Sequence, residues 1–201
     1  MKSFLNFLYE AKAPLKVVVS FGRMNPITAG HEKLADKMVS EAKKRNAKAI
    51  LYLSQSQDPK KNPLKFKDKV QLAKKAFPKL TVSTDKSLRN LFQIAGELSA
   101  DGTKEFTLVV GSDRVEEFKK ALGKFVGLKT GSLQLDFDKF EVVSAGERDP
   151  DAQDVSGLSA SKMRKAVQDG DTELFKSGLP KLLIPDADKI FKLVKKGLEI
   201  K

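Results

Sequence analysis

The chain has 201 residues, 40% hydrophobic and 32% charged, with no cysteine, which gives enough apolar residues for one ordinary core and excludes disulfide-framed, thiol-nucleophile, collagen-like and disordered classes. Thirty-eight Lys and Arg against 26 Asp and Glu leave a formal charge of +12, so the expected partners carry negative charge: phosphates, nucleic acid or an anionic surface. Much of the excess is local, because residues 33–80 hold 14 basic and four acidic side chains. These read chiefly as solvated helix faces, with weak nucleic-acid contact as their functional alternative.

No run reaches the roughly 18 apolar residues that cross a bilayer, so no membrane partner is expected. Near the N-terminus, Lys2, the apolar Phe4–Tyr9 run and the small Ala11 and Ala13 mimic an export signal. The run is interrupted by Asn6 and is shorter than the usual h-region of about 7–15 residues. Export is therefore rejected, and a reducing cytoplasmic setting is expected. Residues 1–13 are set apart as a leader or short helix, and 14–201 are read as one domain.

After Pro14, Leu15–Phe21 is an apolar, β-branched strand. Gly22–Ala29 is a loop broken by Asn25-Pro26, and helical periodicity runs from Gly30 to Arg45. Ala49–Leu53 predicts a second strand, Ser54–Pro63 a polar loop, and Phe66–Phe77 a helix stopped by Pro78. Leu80–Ser83 reads as strand, Leu88–Leu98 as helix, Phe106–Val110 as strand, Asp113–Phe125 as helix and Phe140–Val143 as strand. Ser144–Gly157 is a polar loop, and helices are expected at Ser159–Gln168, Thr172–Lys176 and Asp186–Leu198. Strands alternating with helices predict a Rossmann-like α/β fold, a doubly wound parallel sheet with C-terminal helices. Its site should lie at the carboxyl ends of the strands.

Two segments concentrate chemistry. Thr28 and His31 are three residues apart at a helix start, so they share a face beside free backbone N–H groups and the positive end of the helix dipole. Gly30 removes a side chain from the approach, and Gly22 lets the chain turn tightly. The plain alternative makes Thr28 an N-cap and His31 a surface residue. In Leu158-Ser159-Ala160-Ser161-Lys162-Met163-Arg164, Ser161 and Arg164 are again three apart and open a helix, where a hydroxyl, N–H groups and a guanidinium can converge on one phosphate. Simple capping is the alternative for Ser159 and Ser161.

Together, Thr28-Ala29-Gly30-His31 and Leu158–Arg164 resemble the HxGH or TxGH and ISSTxxR signatures of the nucleotidyltransferase superfamily, over about residues 15–180. Val109-Val110-Gly111-Ser112-Asp113 resembles the family's GxD element, which implies a ribose contact through Gly111 and Asp113; Asp113 as an N-cap paired with Glu116 is the plainer reading. Ser54-Gln55-Ser56-Gln57 followed by Asn62-Pro63 resembles archaeal-type nicotinamide mononucleotide adenylyltransferases and related phage cytidylyltransferase-like proteins, with Lys69 where an arginine is usual. The chain departs from the pattern in having Thr28 for the commoner first histidine, Ala160 and Ser161 for Ser-Thr, and no tryptophan to stack on a nicotinamide ring.

The resemblance implies transfer of a nucleoside monophosphate, AMP from ATP in preference, to a phosphate-bearing small molecule, with pyrophosphate released. It implies catalytic roles for His31, Thr28 and Arg164 and nucleotide contacts from Gly22, Arg23, Gly30, Gly111, Asp113, Ser159 and Ser161. Asn25 and Lys69 would bind phosphate or acceptor, and Mg²⁺ would be carried by the triphosphate. Two alternatives are a cytidylyltransferase acting on a small alcohol phosphate and a catalytically idle, basic nucleotide- or nucleic-acid-binding protein of a phage head. Arg148 is far from Gly157, unlike the RTxGISTT block usual in cytidylyltransferases. Acceptor, base and oligomeric state are open at this point. Finally, Met1–Glu10 resembles the leader of tailed-phage internal proteins, cleaved after Leu/Ile-x-Glu, which Leu8-Tyr9-Glu10 matches. That resemblance implies a virion-packaged protein starting at Ala11.

Overall fold

The computed structural model describes residues 15–128, 131, 133–146 and 158–200, so the proposed leader and the Arg148–Gly157 segment lie outside the described residues. Five parallel strands, β1 (Lys16–Gly22), β2 (Lys48–Leu53), β3 (Thr81–Val82), β4 (Glu105–Val110) and β5 (Lys139–Ser144), form one sheet in the order β3-β2-β1-β4-β5. The chain runs outward from β1 to β3 and then returns to the other side of β1. The switch point expected from the α/β alternation therefore falls between β1 and β4.

Among the described residues, seven α-helices accompany the strands: α1 (Gly30–Arg45), α2 (Phe66–Ala76), α3 (Leu91–Ala100), α4 (Val115–Gly123), α5 (Ala160–Asp169), α6 (Thr172–Ser177) and α7 (Ala187–Gly197). The two-residue period of the strands divides their side chains between two cores. Val18, Leu51, Leu53 and Val109 pack under α1, α2 and α5–α7, while Val17, Val19, Ile50, Phe106 and Leu108 pack under α3 and α4. Burial on both faces explains why β1 and β4 read as continuous apolar runs.

Element boundaries follow local chemistry. α1 ends where Asn46 adopts a left-handed conformation (φ 49°) and its N–H reaches the carbonyls of Ala42 and Lys43. α3 starts at Leu91, later than the expected Leu88, because the Asn90 side chain accepts the Gln93 N–H as a cap. The helix expected from Asp113 opens instead as a 3-10 turn, Ser112–Arg114, before α4. Asp113 therefore does not cap it. Before α7, where only Pro180 and Pro185 punctuate the sequence, Lys181–Asp186 forms a 3-10 segment with Pro185 inside it. Among the described residues, no helix is long and apolar enough to cross a membrane.

The C-terminal helices fix the loops above the sheet. The Gly178 carbonyl accepts the Ala29 N–H at 2.8 Å, tying the end of α6 to the start of α1. Near the end of α7, Gly197 lies so close to Pro63 that an added Cβ would stand 2.1 Å from the Pro63 carbonyl oxygen.

Candidate active site

β1 and β2 end side by side, the Ser54 N–H donating to the Gly22 carbonyl at 2.9 Å, and both strands release loops upward. In the first loop Met24 has φ 44° and is buried, and the Asn25–Pro26 peptide is cis. Asn25 is 2% exposed, and its Oδ1 accepts the Leu64 N–H at 2.9 Å. Its side chain thus clamps the first loop to the second. That spends the amide expected to meet phosphate or acceptor, and it leaves the Asn25 main chain to the site.

Thr28 and His31 do share a face, but in unequal roles. The Thr28 N–H donates to His31 Nδ1 at 2.9 Å, and Thr28 Oγ1 lies 3.0 Å from the same nitrogen. A ring nitrogen that accepts a backbone N–H carries no proton, so the imidazole proton sits on Nε2. Thr28 is 2% exposed and stands behind the ring. It orients His31, and Ala29, not Thr28, occupies the N-cap position of α1.

α5 supplies the second motif. Ser159 caps it by accepting the Lys162 N–H at 3.2 Å, so the remaining first-turn N–H groups of Ala160 and Ser161 stand at the positive end of the helix. Arg164 spans the two motifs: its Nη1 donates to the Asn25 carbonyl at 2.8 Å and its Nη2 to Ser161 Oγ at 3.3 Å. Burial holds the guanidinium pKa below its usual range and the charge of Arg23 adds to the effect, while Asp58 opposes both.

These groups enclose a cavity of about 350 Å³ lined by Arg23 and Asn25 from the first loop, His31 from the first turn of α1, the cap Ser159, and Ser161 and Arg164 from α5, with Met24 and Ala160 as its apolar parts. Lys61 from the second loop completes the wall. Sequence reasoning missed Lys61. The available signal was Asp58-Pro59, an Asx-type turn opening that aims the residues after it. Among the described residues no carboxylate lines the cavity, so three cations, an imidazole and two hydroxyls offer their hydrogen bonds to an anion with several oxygens.

The other expected residues fall around this cavity, not on its wall. Gly22 ends β1 beneath it, and an added Cβ there would meet only Met24, at 3.7 Å. Gly30 opens α1. Gly111 and Asp113 follow β4, the neighbour of β1, but are not among the lining residues. Lys69 departs most from expectation. It is 0% exposed, its Nζ donates to the Ser54 carbonyl, and burial pushes its pKa down to about 8.

Residues 19–166 match the family described as cytidylyltransferase-like. No match was found among the curated proteins. Among solved structures, the chain is similar to a macrolide-efflux protein from Streptococcus pneumoniae at 15% identity and a TM-score of 0.47, covering 80% of this chain and 53% of that one. The chain thus spans about half the length of that structure, and a likeness so distant bears on neither fold nor function.

Proposed function

From the premise that this chain belongs to the cytidylyltransferase-like family of the nucleotidyltransferase superfamily, we propose that its cavity holds the triphosphate of a nucleoside triphosphate, ATP in preference, for attack by a phosphorylated small molecule. The observation that carries this is Arg164, which joins the two signature segments by hydrogen bonds to Asn25 and Ser161 around a cavity whose described lining also holds Arg23, Lys61 and His31.

In the reaction so read, an acceptor phosphate oxygen bonds to the α-phosphorus in line, and the bond from that phosphorus to the bridging oxygen of the β-phosphate breaks. Pyrophosphate leaves with that electron pair, and no enzyme-bound intermediate forms. His31, with its proton on Nε2, donates to the oxygens on which charge grows. Arg23, Ser161 and Arg164 hold the β and γ oxygens. Positioning and charge stabilisation of this kind are the main contributions a protein makes to phosphoryl-type transfer. Mg²⁺ carried by the triphosphate would supply further neutralisation, and the lining donors suit the phosphate oxygens around such an ion.

The adenylyl preference and nicotinamide mononucleotide as acceptor rest on the Ser54–Gln57 and Asn62-Pro63 resemblance. Among the described residues no aromatic side chain lines the cavity, so a nicotinamide ring would find its stacking partner elsewhere. The test is a pyrophosphate-release screen of ATP and CTP against nicotinamide mononucleotide, phosphopantetheine and sugar or polyol phosphates. Release with ATP is expected. Release with CTP alone would transfer the assignment to a cytidylyltransferase, and no release with any pair would overturn the catalytic reading.

A further inference from the structure

The loop between β2 and α2 carries a device that neither signature includes. Asp58 Oδ1 accepts the N–H of Lys60 at 2.9 Å and of Lys61 at 2.6 Å, while its Oδ2 accepts from Asn62 Nδ2. The main chains of Asp58 and Asn62 exchange two further hydrogen bonds, at 3.0 and 3.2 Å, closing the turn. Asn62 itself is buried. One carboxylate therefore gathers three donors, and those bonds hold its pKa down to about 2. The turn ends with Lys61 on the wall of the cationic cavity, and Lys60, one residue earlier, is not on it.

We infer that Lys61 is a further phosphate-binding group of this cavity and that Asp58 is the positioning residue that presents it. The inference rests on the cavity being a phosphate site and adds a third element to it: a cation delivered by the β2–α2 loop to join those of the β1–α1 loop and α5. The arrangement resolves an apparent contradiction. A carboxylate near a polyanion site should weaken anion binding by repulsion. Asp58 also interacts electrostatically with Arg164, so its charge is felt there. A carboxylate is nevertheless the acceptor best able to hold two successive N–H groups and an amide at once, and doing so fixes where Lys61 points.

The two effects of Asp58 have opposite signs, and this makes the inference testable with inorganic tripolyphosphate as the probe and calorimetric titration as the readout. Lys61→Ala should weaken binding roughly tenfold to a hundredfold, the range for losing a charged hydrogen bond, and Lys61→Arg should restore part of it. Lys60→Ala should stay within about twofold of the wild type. Asp58→Ala should weaken binding although it removes a negative charge, and Asp58→Asn, which keeps an accepting oxygen for the turn, should recover it. In a Lys61→Ala background, Asp58→Ala should cause no further loss, the non-additivity expected of a residue acting through another. Thermal unfolding of each variant separates these losses from misfolding.

Unchanged binding in Lys61→Ala overturns the assignment of Lys61. Tighter binding in Asp58→Ala overturns its positioning role. Because the probe needs no turnover, failure of the pyrophosphate screen would count against the proposed reaction and leave this measurement standing.

Discussion

Arg164 reaches from the first turns of α5 to the main-chain carbonyl of Asn25, 139 residues earlier, at 2.8 Å. The same guanidinium touches Ser161, so a single side chain closes the cavity and couples the two loops that form it. Arg164→Lys should raise the triphosphate KM about tenfold or more, because an ammonium cannot keep the Asn25 and Ser161 bonds and still face a phosphate. Steady-state kinetics against triphosphate concentration check this, and an unchanged KM would remove Arg164 from the binding site.

His31→Ala should act on kcat instead. A donor aimed at charge that develops only in the transition state contributes about 10²–10³ in rate, with little effect on ground-state affinity. Thr28→Val should cost less, since the backbone N–H still holds His31 Nδ1 when the hydroxyl is gone. Comparing kcat for the two variants tests the order. Equal losses would mean that Thr28 meets substrate directly.

Two glycines give a stability contrast. At Gly197 an added Cβ would lie 2.1 Å from the Pro63 carbonyl oxygen and 2.6 Å from its carbon, which are backbone atoms that cannot turn aside. At Gly178 the close atom is Met163 Sδ, also at 2.1 Å, on a flexible side chain. Gly197→Ala should therefore destabilise the fold by an amount in or above the usual overpacking range of about 1–3 kcal/mol, and lower Tm more than Gly178→Ala does. Calorimetry of the two variants decides the order.

A buried acid ties the end of α1 to the sheet edge. Glu41 is 4% exposed and pairs with Lys37, Lys44 and Arg45, and Arg45 also pairs with Glu141 on β5. The Lys37 hydrogen bond lowers the Glu41 pKa to about 2 against the opposing effect of burial, with Arg45 and Lys44 assisting. A carboxyl lowered on folding contributes stability that is full above its unfolded value of 4.5 and is lost as pH falls toward 2. The Tm of the wild type should drop across that window, and the drop should be shallower in Glu41→Gln. Parallel curves would show that Glu41 does not carry this linkage.

Where local chemistry decides an element, the chain could be read directly. α1 was bounded correctly because Gly30 and the left-handed Asn46 stop are adjacent to the pattern they interrupt, and the apolar runs of β1 and β4 required burial on both faces. The Thr28–His31 and Ser161–Arg164 pairs were legible because a helix brings residues three apart together. Spacing could not say which member faces the cavity. That depends on Thr28 being buried, and Arg164 meets Asn25 only through the tertiary fold. Lys61 was missed for the same reason, since its place depends on where a turn meets α5. Lys69, expected to bind phosphate or acceptor, is instead fully buried, a placement that a residue type almost never fully buried does not announce in sequence.

Lys69 offers the last test. Its side chain is fully buried, and its Nζ is directed at the Ser54 carbonyl, with Ser54 Oγ at 3.4 Å. Burial disfavours the charged form, and the pKa falls from 10.5 to about 8. Below pH 8 both folded and unfolded chains hold the proton, so the full cost of burying charge is present. Between about 8 and 10.5 the folded chain loses the proton while the unfolded chain retains it, and stability rises with pH over that window. The wild type should therefore gain in Tm relative to Lys69→Met as pH increases from 8 to 10, since titrations common to both proteins cancel in the difference. A constant difference would mean that Lys69 remains charged, held by the Ser54 carbonyl strongly enough to offset its burial. Measured beside it, the acceptor KM of Lys69→Met tests the role expected from sequence: an unchanged value would confine Lys69 to supporting the end of β2, and a raised one would show that the ammonium also serves the acceptor.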